Sequence, residues 1–304
     1  MIPLLKEEKK LTGTLTAITN NNVQIETLSI SAFQPNSDFE SISERLYEIF
    51  EKEINSNDSI FIRVNNSVIS KIAMFLSGSI KRSASIGIAG ETASGKSTVA
   101  FDIINTINSF SKEFDIENAI TRINTDDYYY DRSDMVKAAG SFSNFAKNYD
   151  LDIPEALELS LMKKHIFELL SGNKVMLPKY DMSGTAIRFD NYTLAKPSKI
   201  VISEGLFSLT EEIKDAFDFK IYVDVRKHIQ EKRFFIRAAE RDLGESAKDI
   251  FNNASQKAEI HIRPCKDCAD IVLSGEADRQ RYINFMSELI DFAEELYFDK
   301  VNMA

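Results

Sequence analysis

The chain has 304 residues, of which 43% are hydrophobic and 28% charged, with a formal net charge of −10 and a sequence pI near 5.0. This is globular composition, long enough for one large domain or two modest ones. The acidic balance argues against an extended nucleic-acid-binding face. No apolar run approaches the roughly 20 residues that span a bilayer, and Met1 to Lys10, with Glu7 and Glu8, lacks the apolar core of a secretory leader. Nucleic acid and membrane are therefore not expected partners, and the cytoplasm is the expected compartment.

In chain order, Leu11 to Thr19 and Val23 to Leu28 alternate apolar and polar residues around Asn20-Asn21-Asn22, which predicts a hairpin. Ser41 to Ile54 places Ile42, Leu46, Ile49 and Phe50 on one helical face. A strand is expected at Ser59–Val64 and a helix at Ser67–Leu76. These first 80 or so residues carry no catalytic motif, and two readings stand for them: an accessory α+β domain over 1–80 for regulation or assembly, or an extra layer on the core. From residue 81 to 304 strands alternate with helical patterns. The strands are expected at Ser85–Ala89, Ile120–Asn124, Ile200–Ser203, Lys220–Val223 and Asp270–Leu273, and a long closing helix at Ala277–Leu296. Alternation of this kind predicts an α/β fold, a parallel sheet flanked by helices, with its site at the C-terminal ends of the strands.

The motifs fall at those ends. Gly90-Glu91-Thr92-Ala93-Ser94-Gly95-Lys96-Ser97 is a complete G-x-x-x-x-G-K-[ST] phosphate loop between a strand and a helix. Its glycines let backbone N–H groups turn toward phosphate, the helix N-terminus adds partial positive charge, Lys96 can reach the β- and γ-phosphates, and Ser97 can hold Mg²⁺. After the second of these strands, Asp126-Asp127 offers a carboxylate to accept the proton of an attacking hydroxyl, although an isolated Asp-Asp would read as a solvated turn. After the third, Glu204 is a second candidate anchor for Mg²⁺. Arg233, Arg237 and Arg241 share a helical face that either closes over transferring phosphates or is simply solvated. Cys265 and Cys268, with His261, make a C-x-x-C whose readings are a redox pair, part of a zinc site, or packed thiols. The last is preferred, because zinc wants four ligands and no second pair exists.

Taken together and in order, residues from about 85 to 296 resemble the uridine kinase branch of the uridine kinase/phosphoribulokinase/pantothenate kinase family. The phosphate loop, followed by Thr98, resembles that family's G-I-A/S-G…S-G-K-[ST]-T, and Thr125 to Tyr129 resembles S-Q-D-x-[FY]-Y, which selects Asp126 as the base. Asn148 to Ala156 resembles N-[FY]-D-H-P-x-A, which implies that Asp152, with Asp150 as fallback, binds ribose hydroxyls. Leu177 to Met182 resembles the P-x-Y-D-F hairpin that packs on the base, Ile202 to Leu206 resembles I-L-E-G-I, and Tyr222 to Asp224 with Arg233 and Arg237 resembles the lid. The resemblance implies ATP bound by Gly90 to Thr98, Mg²⁺ on Ser97 and Glu204, and an acceptor site including Asp152, Tyr129, Tyr180 and Arg188. It places both cysteines at structural positions and implies a homo-oligomer.

The departures lie on the acceptor and lid side. The hairpin after Tyr180 is one residue longer than the pattern and lacks its histidine, Phe234 and Ala238 replace expected polar lid residues, and Arg241-Asp242-Leu243-Gly244 only approximates the family's R-G pair. The expected function is ATP-dependent transfer of the γ-phosphoryl to a primary alcohol of a small molecule, foremost a nucleoside 5′-hydroxyl. The alternatives are another small alcohol (a ribulose phosphate or a pantothenate-like molecule) and a nucleotide-binding regulatory protein with little turnover.

Overall fold

The structure, a computed structural model, describes residues 14–17, 26–29, 37–113, 118–146 and 148–302. Near the N-terminus β1 (Thr14–Ala17) and β2 (Glu26–Ser29) pair antiparallel, Thr14 opposite Ser29; the expected Asn20–Asn22 turn lies outside the described residues. Then follow α1 (Ser37–Ile54), β3 (Phe61–Val64), α2 (Asn66–Leu76), β4 (Ala84–Ala89), α3 (Lys96–Glu113), β5 (Ile120–Asn124), α4 (Ser133–Ala139), α5 (Phe142–Ala146) and α6 (Leu159–Leu170). The chain continues through β6 (Val175–Tyr180), β7 (Arg188–Ala195), β8 (Ile200–Glu204), β9 (Phe219–Asp224), α7 (Lys227–Glu240), α8 (Ser246–His261), α9 (Cys265–Cys268), β10 (Ile271–Ser274) and α10 (Arg279–Asn302). No described helix is long and apolar enough to cross a membrane.

Six strands form the central sheet in the order β3-β10-β9-β4-β8-β5. All neighbours from β10 to β5 run parallel, whereas β3 joins the edge antiparallel, Val64 opposite Ile271. Both faces are covered, which is why these strands read as nearly continuous apolar runs. Side-chain alternation divides them between two cores: Ile88, Ile202, Ile221 and Val223 point to the side of α1, α2, α3 and α10, while Ala89, Val201 and Tyr222 point to the side of α6. On β4 the missing side chain of Gly87 makes room for the Phe217 ring, whose Cδ2 would lie 2.6 Å from an added Cβ.

The boundary expected near residue 80 falls inside the first of these cores. Leu46, Ile49 and Phe50 of α1, Phe61 of β3 and Ile69 of α2 are buried with Val99, Ile103 and Phe285. The rings of Phe50, Phe61 and Phe285 meet with centroids 5.0–5.5 Å apart. Residues 37–76 thus form a layer on the sheet, and β3 completes its edge.

The register aligns the strand ends where chemistry was expected. Glu204 pairs with Ile88 of β4 and with Asn124 of β5. The phosphate loop, the Asp126 turn and Glu204 therefore leave neighbouring strands at one edge of the sheet, at the point where chain order reverses around β4.

Candidate active site

The phosphate loop leaves β4 at Ala89 and runs into α3 at Lys96. Gly90 is required by close approach, since an added Cβ would stand 2.6 Å from the Val223 carbonyl oxygen and 2.7 Å from Ser94 Oγ. Gly95 has φ of +100°, a conformation side chains rarely adopt. Burial pulls Lys96 below the ordinary lysine pKa, while the charges of Asp126 and Glu204 push it back up. A cleft of about 440 Å³ opens beside the loop, lined by Gly95, Lys96, Ser97, Thr98, Arg233 and Arg237 among others.

Glu204 is buried at the end of β8. Ser97 donates its hydroxyl to Glu204 Oε2 at 3.0 Å, and Arg122 of β5 donates to Oε1 at 2.5 Å. The guanidinium of Arg122 lies over the Phe101 ring, 4.6 Å from its centroid. A carboxylate and a hydroxyl at a helix N-terminus are hard oxygen donors that suit Mg²⁺. Among the described residues no group of three or more His, Cys, Asp or Glu could hold a metal alone. An ion shared with nucleotide phosphates needs only one or two protein ligands, so the pair fits.

The two aspartates after β5 are used differently. Asp127 accepts a hydrogen bond from the Tyr180 backbone N–H at 3.2 Å and lies 3.9 Å from Lys179 Nζ. Asp126 sits in the same 3-10 turn, half-buried and without a side-chain hydrogen bond among the described residues. Burial raises its pKa, the Lys96 charge opposes this, and the Glu204 charge adds to it. Tyr129 is buried next to Tyr180, ring centroids 5.2 Å apart, and donates its hydroxyl to the Leu151 carbonyl at 3.1 Å. Burial raises the Tyr129 pKa, and the charges of Asp126 and Asp152 add to that rise. Asp152 is raised by burial and then by Asp150, while Asp150 is engaged by Lys257 of α8.

Tyr129 thus links the Asp126 turn to the Tyr180 hairpin and, through the Leu151 carbonyl, to the segment that carries Asp152. Arg188, also expected in the acceptor site, donates from its guanidinium to Glu158 at 2.6 Å. Arg132, unremarked in the sequence, lies over the Tyr130 and Tyr149 rings at 5.3 Å each and donates to the Tyr149 hydroxyl at 3.1 Å.

On α7, Arg237 donates to Thr92 Oγ1 at 2.9 Å, and Arg233 donates to the carbonyls of Gly275 at 2.8 Å and Ser94 at 3.4 Å. Both reach the phosphate loop. Arg241 stands apart, exposed at the C-cap of α7. Phe234 and Ala238, at positions where polar residues were expected, are buried with Ala247 and Phe251 in a small core joining α7 to α8. The Glu91 side chain is held away from the cleft by Arg263 at 2.8 Å and Gln230 at 3.3 Å, two contacts that sequence reasoning missed. Both cysteines are free thiols. Burial pushes Cys265 up to about 12, and their Sγ atoms donate to the carbonyls of His261 and Leu209, as packed thiols do.

Residues 85–280 match the model of the Phosphoribulokinase / Uridine kinase family. A uridine kinase of Halobacterium salinarum is 29% identical over 213 residues, 67% of this chain and 85% of that protein. A uridine kinase of Lactobacillus helveticus is 31% identical over 212 residues, 66% of this chain and 92% of that protein. Among solved structures, the phosphoribulokinase from Rhodobacter spheroides aligns at 16% identity with a TM-score of 0.48, covering 64% of this chain and 70% of that one.

Proposed function

The chain belongs to the phosphoribulokinase/uridine kinase family, and from that premise we propose that it is an ATP-dependent phosphotransferase that moves the γ-phosphoryl to a primary alcohol of a small neutral molecule, foremost a nucleoside 5′-hydroxyl. The observation that carries this reading is Asp126: a carboxylate with no hydrogen-bonded partner among the described residues, set at the strand ends within the electrostatic reach of Lys96 and Glu204. Binding a nucleotide needs no such group, whereas deprotonating an acceptor hydroxyl does.

In this reading the loop N–H groups and Lys96 hold the phosphates, and Arg233 and Arg237 bring positive charge from α7 to the loop. Mg²⁺, bound on Ser97 and Glu204, would neutralise charge developing on the transferred group. Asp126 takes the proton of the acceptor hydroxyl, and a raised carboxylate pKa makes it a better base than an exposed aspartate. Most of the acceleration then comes from positioning and charge neutralisation, which these residues supply without covalent chemistry.

The charges around the acceptor region favour a neutral alcohol over a phosphorylated one. Of the residues assigned to it, Asp126 and Asp152 are acidic, Lys257 nearby is paired with Asp150, and Arg188 is paired with Glu158. A phosphate group would meet carboxylates there. Asp152 suits vicinal hydroxyls, and the Tyr129 and Tyr180 rings suit a flat base. The test is Mg·ATP-dependent phosphorylation across nucleosides, sugar phosphates and pantothenate-like alcohols, with Asp126→Asn alongside. A phosphorylated nucleoside that disappears in the variant is the expected result. ATP binding with no acceptor turned over would move the assignment to a nucleotide-binding regulatory protein.

A further inference from the structure

Arg122 is an unexpected residue in its strand. It precedes Ile123, which is completely buried, and it pairs in register with Ile202 of β8, two positions before Glu204. Residues two apart share a face of a strand, so Arg122 and Asn124 lie on one face of β5, and Arg122 leans along it toward the end of β8. Its Nη2 reaches Glu204 Oε1 at 2.5 Å, while Glu204 Oε2 accepts from Ser97 at 3.0 Å. Phe101 of α3 keeps almost half of its surface in solvent and supports the guanidinium from the other side. The carboxylate is thereby fixed at both oxygens, one by a planar cation that is itself stacked on a ring and one by the hydroxyl that starts α3.

A ligand carboxylate on a rotatable side chain binds a metal well only when something else sets its plane, and groups hydrogen-bonded to metal ligands contribute about 10–100-fold to metal affinity. We propose that Arg122 is a positioning residue for the metal anchor: it holds Oε1 of Glu204 so that Oε2 remains turned to Ser97, where the nucleotide's Mg²⁺ is taken up. This proposal rests on the reading of the site as one for Mg·ATP. The planar guanidinium matters as well as the charge, because it both meets the carboxylate and stacks on Phe101.

The test is equilibrium binding of ATP, without acceptor, in Mg²⁺ and in EDTA, for the wild type, Arg122→Gln, Arg122→Lys and Phe101→Ala. In the wild type Mg²⁺ should tighten ATP binding. In Arg122→Gln that gain should fall by about 10–100-fold, with metal-free ATP binding unchanged. Arg122→Lys should restore only part of the gain, and Phe101→Ala, which leaves the ion pair in place, should lose about two- to fivefold in the same direction. An undiminished Mg²⁺ gain in Arg122→Gln, or a larger one, overturns the proposal. If Arg122→Gln does not fold, Phe101→Ala and Arg122→Lys decide it by the same ratio. Absence of any Mg²⁺ gain in the wild type would instead refute the Mg·ATP reading of the site.

Discussion

Asp127 accepts a hydrogen bond from the backbone N–H of Tyr180 at 3.2 Å, and this bond separates the work of two adjacent aspartates. Asp127 ties the turn after β5 to the β6–β7 hairpin, whereas the Asp126 side chain has no hydrogen bond among the described residues. Asp126→Asn is expected to lower kcat by about 10²–10⁴ while ATP binding stays within a few-fold. Asp127→Asn should chiefly raise the acceptor KM by loosening the hairpin, with a stability loss of about 1 kcal/mol for the weakened bond. Steady-state kinetics of both variants, with nucleotide binding measured separately, distinguishes them. Equal losses of kcat in the two would mean that the assignment of the base is wrong.

The same carboxyl should leave a mark on stability. Burial holds Asp126 above the ordinary aspartate pKa in the folded chain. The folded chain therefore keeps this proton to higher pH than the unfolded chain, and ionising Asp126 in place costs stability. The contribution is favourable at pH below both values and is lost as pH rises through the folded one. Asp126→Asn cannot titrate, so its Tm relative to wild type should climb as pH is raised from about 3 through the carboxylate range and then level off. Thermal unfolding of both proteins across that range, without nucleotide, measures the difference. A difference that falls with rising pH would show that Lys96 outweighs burial at this site.

Much of the site was legible because its parts are contiguous. The phosphate loop, the Asp126 turn and Glu204 each sit within a few residues of a recognisable strand, and a parallel sheet gathers strand ends by its topology alone. What escaped were long-range contacts. Arg122 lies 82 residues from Glu204, Gln230 is 139 from Glu91, and Arg263 is 172 from Glu91. No periodicity encodes such pairs. Arg122 did leave one trace, a charge inside an apolar strand. The sequence left two readings open for the first 80 residues for the same reason: β3 carries no sign of which strand it will pair with, and its partner β10 lies near the other end of the chain. Arg241 shares the helical spacing of Arg233 and Arg237, but the helix ends beneath it, and spacing alone could not reveal that.

The three arginines should therefore differ in consequence. Arg237→Ala and Arg233→Ala each remove a cation held against the phosphate loop, and each should lower kcat by about 10²–10³, the scale for a preorganised charge at a transferring group. Arg241→Ala, at an exposed helix end, should stay within about twofold and within about 0.5 kcal/mol in stability. Kinetics and thermal unfolding of the three variants check this. A large kcat loss in Arg241→Ala would imply that α7 and α8 close further over the site than they stand in this structure.

Gly275 is the backbone counterpart of that contact. Its carbonyl accepts from Arg233 at 2.8 Å, and a Cβ added there would lie 2.0 Å from the Ser94 carbonyl oxygen in the phosphate loop. A carbonyl within a tightly turned loop cannot swing aside as a flexible side chain can. Gly275→Ala should therefore displace the loop, cost about 1–3 kcal/mol as an overpacked site does, and weaken ATP binding at the same time. Unfolding in denaturant together with nucleotide titration tests both halves. Stability and binding that match the wild type would mean that the loop gives way at little cost.

The layer made by residues 37–76 should be indispensable to the fold, whatever further role it has. Leu46, Ile49, Phe50, Phe61 and Ile69 lie at 0–3% exposure, in one core with α3, the helix into which the phosphate loop runs. Arg281 on α10 also donates to both Glu53 oxygens, at 3.0 and 2.9 Å, across the same boundary. Phe61→Ala would empty a space between Phe50 and Phe285 and should cost about 3–5 kcal/mol, a large share of a domain's total stability. Deleting residues 1–80 would remove β3, bare the edge of β10 and expose the apolar faces of α3 and α10, so that product should fail to give a soluble, cooperatively unfolding protein. If instead the truncated chain folds and binds Mg·ATP with wild-type affinity, the first 80 residues are a separable domain after all, and the search for their partner becomes a question independent of catalysis.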